Sequence, residues 1–176
     1  MLQAGQQAPQ FLRRPVFGLE LDLEELTSSR PLALVFVGSL GSEQGMRILM
    51  SLQSQCSEFE REGVGLLAVT SSGLLLARDF VPRHHLLFPL IADPDGELAE
   101  AYQVGDAGLR HLLQGWSPAG LRSRLRLFQQ GLGWQRDPRA DLPAAFLVLP
   151  GGSLAQVQYE SASSTPDIDS MLRVSR

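Results

Sequence analysis

The stretch Gly38-Ser39-Leu40-Gly41-Ser42-Glu43-Gln44-Gly45 sets two hydroxyl side chains among small residues, between a continuous apolar run and a helical pattern. In open α/β sheets, loops that leave the carboxyl ends of strands are where ligands and reacting groups collect. This loop is therefore the first candidate site. A serine nucleophile at Ser39 or Ser42 would need a base, and His84 and His85 are the candidates, but there is no G-x-S-x-G turn and no acid spaced to orient either imidazole. Cys56 is the only thiol. It recurs with Leu49, Leu52 and Phe59 at spacings of three and four, so the residues themselves favour a small buried hydrophobe over a reactive group. The only histidines are His84, His85 and His111, and their spacing does not make a zinc site. Asp93-Pro94-Asp95-Gly96 lacks the alternating oxygen ligands and distant glutamate of a calcium loop and is expected to be a turn and helix cap. No metal and no cofactor are expected.

A second unusual region runs from Ala107 to Arg136. It holds Arg110, Arg122, Arg124, Arg126 and Arg136 with Trp116, Phe128 and Trp134, and no acidic residue. Leu121, Leu125 and Phe128 share one helical face, so the first reading is a solvated amphipathic insertion. Arg122, Arg124 and Arg126 are its candidate contacts for a protein partner or small anion. Nucleic acid and membrane are the least favoured partners of so modest a cluster.

The elements that must position these groups alternate in period. Continuous apolar runs at 31–37, 63–70, 86–92 and 144–149 read as strands buried on both faces, and 153–160 reads as the second arm of a hairpin after Pro150-Gly151-Gly152. Pro89 cannot donate to a ladder, so the third run is short or at an edge. Helices fit 42–61, 72–80, 96–104 and 167–174, the first opened by Ser42 as a capping residue and stopped by Gly63. This order predicts an α/β fold with a mixed sheet.

Composition sets the outer bounds. The chain has 176 residues, 44% hydrophobic and 19% charged, enough for one domain with a sizeable core, and we read 1–176 as a single domain. A formal charge of −4 disfavours a generally cationic nucleic-acid binder. All 15 basic residues are Arg; the absence of Lys excludes Schiff-base chemistry and a P-loop lysine. One cysteine cannot form an intrachain disulfide. Residues 1–9 are polar and Gln-rich without the cationic start and apolar stretch of a secretory signal, and no apolar run is long enough to span a bilayer, so a cytoplasmic protein is expected.

Several local motifs, in this order, resemble the peroxiredoxin-like branch of the thioredoxin fold, the alkyl hydroperoxide reductase and thiol-specific antioxidant (AhpC/TSA) class. Gly5-Gln6-Gln7-Ala8-Pro9-Gln10-Phe11 looks like its opening G-x-x-A-P-x-F. Leu67-Ala68-Val69-Thr70, Phe88-Pro89-Leu90-Ile91-Ala92-Asp93-Pro94-Asp95-Gly96 and Ala101-Tyr102-Gln103-Val104 are similar to L-A-V-S, F-P-L-L-A-D-P-D-G and A-Y-G-V. Leu142 to Val148 resembles the late strand with its preceding proline. The resemblance implies a thioredoxin-like three-layer sandwich with a central mixed sheet and an Arg-rich helical insertion, and it admits a homodimer. It also implies a thiol peroxidase site like F-L-R-x-x-G-C-P-x-C-R, matched here by Phe36 to Arg47. Ser42 stands at the first cysteine position, Glu43 at the proline and Gly45 at the second cysteine. A helix N-terminus can lower a thiol pKa enough to make it attack peroxide, but a serine hydroxyl is far too weakly acidic. Glu43 adds a negative charge in the first turn, where a thiolate would be opposed. The expectation is thus a degenerate site and a protein that acts through binding at Gly38 to Gly45. The alternatives are a one-cysteine antioxidant peroxidase using Cys56, and a small-molecule pocket in space vacated by the two cysteine side chains.

Overall fold

The computed structural model describes residues 1–105, 142–160 and 166–174. The central element is β3 (Leu32–Gly38), seven residues that are all buried. A strand of this kind needs cover on both faces. It pairs in parallel with β4 (Gly65–Thr70), which pairs in parallel with β5 (Leu90–Ala92). On its other side β3 pairs antiparallel with β6 (Ala144–Val148), and β6 with β7 (Leu154–Tyr159), giving the order β5-β4-β3-β6-β7. The mixed sheet expected from the sequence is present. As Pro89 implied, β5 is both short and at the edge.

Alternation along β3 divides the core in two. Ala33, Val35 and Val37 face α2 (Glu43–Arg61), α3 (Leu74–Arg83) and α5 (Ile168–Val174), where Ile48, Leu49, Leu52, Phe59, Ala77, Phe80 and Met171 are buried. Leu32, Leu34 and Phe36 face the opposite layer, with Leu23 from α1 (Leu23–Leu26) and Leu98, Ala99 and Tyr102 from and just beyond α4 (Glu97–Ala101). Helices thus cover both faces of the sheet. Phe146 lies at the centre of the second layer, with the rings of Phe36, Tyr102 and Tyr159 at 5.8, 5.0 and 5.4 Å.

The boundaries differ modestly from expectation. The first helix keeps Ser42 as its cap, while α3 begins at Leu74 rather than Ser72 because Thr70, Ser71 and Ser72 are held in the turn that leaves β4. Between the opening motif and β3, where the sequence shows no pattern, the structure has a short antiparallel pair, β1 (Leu12–Arg13) with β2 (Leu21–Asp22), running into α1. Two-residue strands are too short to show a period. The loop between them is anchored by Val16, which is buried and donates its N–H to the Leu90 carbonyl at 2.7 Å on the outer edge of β5.

Candidate functional site

β3 ends at Gly38, whose φ of +71° is the left-handed conformation that turns the chain toward α2 at little steric cost. Ser39 and Leu40 are then buried, with Leu40 packed into the α2-side core. Gly41 and Glu43 are exposed and Ser42 is half-buried. Ser42 is the N-cap: its extended backbone leaves Oγ to accept the Gly45 N–H at 3.0 Å, and the same hydroxyl donates to the Ser39 carbonyl at 2.8 Å. A Ser hydroxyl at this place satisfies one of the amides that a helix start leaves open.

Gly45 explains itself by close approach. A Cβ built there would lie 2.3 Å from the Ser39 carbonyl oxygen and 2.9 Å from that of Val37. Both atoms are backbone, so nothing flexible can move aside. The expectation of vacated space beside the helix start is corrected at this position, since main chain fills the volume that a side chain would need. Glu43 is in the first turn of α2 and pairs with Arg47 at 2.9 Å on the exposed helix surface. Such an exposed i,i+4 pair contributes little to stability.

The loop is fastened to the end of β4. Thr70 is fully buried, and its Oγ1 donates to the Gly38 carbonyl at 2.7 Å while accepting the Ser72 N–H at 3.1 Å. Ser72 Oγ in turn accepts the Leu40 N–H at 2.9 Å, and the Ser71 N–H donates to Gly38 at 3.1 Å. A third loop joins at Thr70, whose carbonyl accepts the Asp93 N–H at 2.8 Å. Asp93 is buried, and its carboxylate accepts the N–H groups of Leu98 (3.1 Å) and Ala99 (2.9 Å) at the start of α4. This is the capping role expected of the Asp93-Pro94-Asp95-Gly96 turn. A small crevice beside it is lined by Phe36, Gly38, Val69, Thr70, Ser71, Asp93 and Ala99. Among the described residues no group of three or more His, Cys, Asp or Glu side chains is placed to hold a metal ion.

The remaining candidates are dispersed. Cys56 packs against the α2-side core but keeps partial exposure. Burial, and secondarily the charge of Glu60, pushes its thiol pKa up. That shift is opposite to what a nucleophilic thiolate needs. Cys56 lies fourteen residues beyond Ser42 on one helix, about 20 Å at the rise of an α-helix. His84 stacks on Phe80 with ring centroids 4.1 Å apart, and the His85 carbonyl accepts from Gln53 Nε2 at 3.0 Å. Arg122, Arg124, Arg126 and His111 lie outside the described residues. What the sequence reading missed is the Thr70-Ser72 fastening, for which the only signal was a run of hydroxyl residues after an apolar strand.

The AhpC/TSA family model matches residues 4–156. No curated protein matches the chain. Among solved structures, peroxidoxin BcpB from Mycobacterium tuberculosis is similar at 14% identity and a TM-score of 0.73, over 99% of this chain and 97% of that one. A yeast mitochondrial 1-Cys peroxiredoxin is similar at 14% identity and a TM-score of 0.73, over 99% of this chain and 75% of that one. AhpC of Mycobacterium tuberculosis is similar at 15% identity and a TM-score of 0.71, over 99% and 92%. At such identities the likeness speaks for the fold, a thioredoxin-like arrangement of the peroxiredoxin type, and leaves chemistry to the residues of the site.

Proposed function

The chain belongs to the AhpC/TSA family, and from that premise we propose that it is a member without thiol-peroxidase chemistry at the β3–α2 loop, acting by binding a protein partner or small molecule there. The observation that carries the reading is the construction of the helix start. Ser42 Oγ is engaged as a cap, and the Gly45 position is closed to any side chain by the Ser39 and Val37 carbonyls. Peroxide reduction by this class of chemistry requires a thiolate that attacks the peroxide oxygen and becomes a sulfenic acid. Neither position supplies one. The binding surface in this reading is the outward part of the loop, exposed Gly41 and Glu43 with half-buried Ser42 between them, carried on a backbone tied to β4. A cytoplasmic location and a homodimer belong to the same proposal. The location draws support from the single cysteine, and among the described residues no helix is long and apolar enough to cross a membrane.

The test is consumption of hydrogen peroxide and an organic hydroperoxide with a thiol reductant, for the wild-type protein and Cys56→Ser side by side. The proposal expects both proteins to match the protein-free rate. Turnover in the wild type that vanishes in Cys56→Ser would overturn it in favour of a one-cysteine peroxidase.

A further inference from the structure

Three loops leave the carboxyl ends of β3, β4 and β5, and Thr70 touches them all. We infer that Thr70 is the positioning residue that sets these loops as one rigid unit, so that the conformation of the candidate binding loop is governed from the end of β4 and not by its own helix cap. The inference rests on the proposed role of the loop for its functional meaning, but its structural content stands alone. Thr70 Oγ1 donates to Gly38 of the first loop and accepts from Ser72 of the second, and the Thr70 carbonyl accepts from Asp93 of the third. The second and third loops pass the restraint on. Ser72 Oγ holds the Leu40 amide, and the Asp93 carboxylate holds the first amides of α4.

Burial makes these bonds consequential. Thr70 is 0% exposed and Ser72 and Asp93 are 7% exposed, so groups released from their partners have little water to turn to. Gly38 O keeps the Ser71 N–H if the hydroxyl is removed, whereas the Ser72 N–H loses its partner and with it the geometry that presents Ser72 Oγ to Leu40. By contrast, among the described residues the Ser42 hydroxyl bonds Ser39 and Gly45, inside the loop and its own helix. A surface held this way meets a partner already ordered, without the cost of fixing a loose loop on binding.

The experiment is amide hydrogen exchange on the full chain, comparing wild type with Thr70→Val, which keeps the side-chain shape but loses the hydroxyl, Thr70→Ser, which keeps the hydroxyl, and Ser42→Ala. The expected result is a loss of about tenfold or more in protection at Leu40 and Ser72 in Thr70→Val, with Leu98 and Ala99, whose loop is tied through the retained Thr70 carbonyl, and the β3 amides still protected as evidence of an intact fold. Thr70→Ser restores protection, and Ser42→Ala leaves Leu40 protected. Unchanged protection at Leu40 or Ser72 in Thr70→Val, failure of Thr70→Ser to rescue, or loosening of Leu40 in Ser42→Ala would each overturn the inference. Exchange is read without peroxide or partner, so this result is independent of the turnover assay.

Discussion

Gly45 is the residue on which the reading of the site turns, because two opposing effects act there and their sizes differ. An alanine in a helix is favoured over glycine by about 1 kcal/mol, but a Cβ at 2.3 Å from a backbone oxygen forces the loop or the helix to shift. Overpacking of this kind costs about 1–3 kcal/mol. Gly45→Ala is therefore expected to lower the denaturation midpoint despite its better propensity, and a stabilised Gly45→Ala would show that the loop yields easily. Ser42→Ala is expected to cost about 1 kcal/mol as a lost cap, measured by denaturant unfolding. Cys56 gives a pH prediction. Its raised pKa keeps the folded thiol protonated at pH values where the unfolded thiol already ionises, so the folded state binds more protons there. This contribution to stability is full below the unfolded pKa and is lost as pH rises from it through the folded pKa. Alkylation of native Cys56 is accordingly slower than that of the unfolded chain at neutral pH, and an equal or faster native rate would contradict the assignment.

At the scale of elements, the strands with long apolar runs and the helix carrying Leu49, Leu52 and Phe59 were legible, because burial on both faces and a 3.6-residue period leave strong patterns. Pro89 marked a strand that is short or at an edge, for a reason that holds whatever the fold. The β1–β2 pair was not legible, since its pairing depends on tertiary contacts such as Val16 with Leu90 rather than on any local period. The site was half legible. The candidate loop and the absence of cysteine from it are plain in the sequence, while the closure at Gly45 depends on where the Val37 and Ser39 carbonyls point, which no residue type announces. The Asp93-Pro94-Asp95-Gly96 turn opens α4 as expected, with Gly96 as the N-cap and the Asp93 carboxylate serving the helix amides, and the worth of that carboxylate can be measured. Asp93→Ala leaves the Leu98 and Ala99 amides without their acceptor and should destabilise by about 0.5–2 kcal/mol, with loss of exchange protection concentrated in α4.

Across the whole molecule, the AhpC/TSA family framework is retained, and the proposed function rests on Ser42 and Gly45 standing where the family's thiol chemistry would sit. The framework depends on the sheet's two cores, and Phe146, 0% exposed among Phe36, Tyr102 and Tyr159, is central to one of them. Phe146→Ala should cost about 3–5 kcal/mol. Loss on that scale is a large fraction of the about 5–15 kcal/mol typical of a folded domain, so the variant should unfold at much lower denaturant than any loop variant. In the proposed reading the loop, in contrast, decides what the carboxyl end of the sheet can do without bearing on the sheet itself. The most direct test of that division is intact-mass analysis of the reduced wild-type protein after brief exposure to stoichiometric hydrogen peroxide, with a sulfenic-acid trap present. The account predicts an unchanged mass and no trapped adduct. A rapid one-oxygen gain or trap adduct located on Cys56 would contradict it and establish a thiol peroxidase that works from the body of α2.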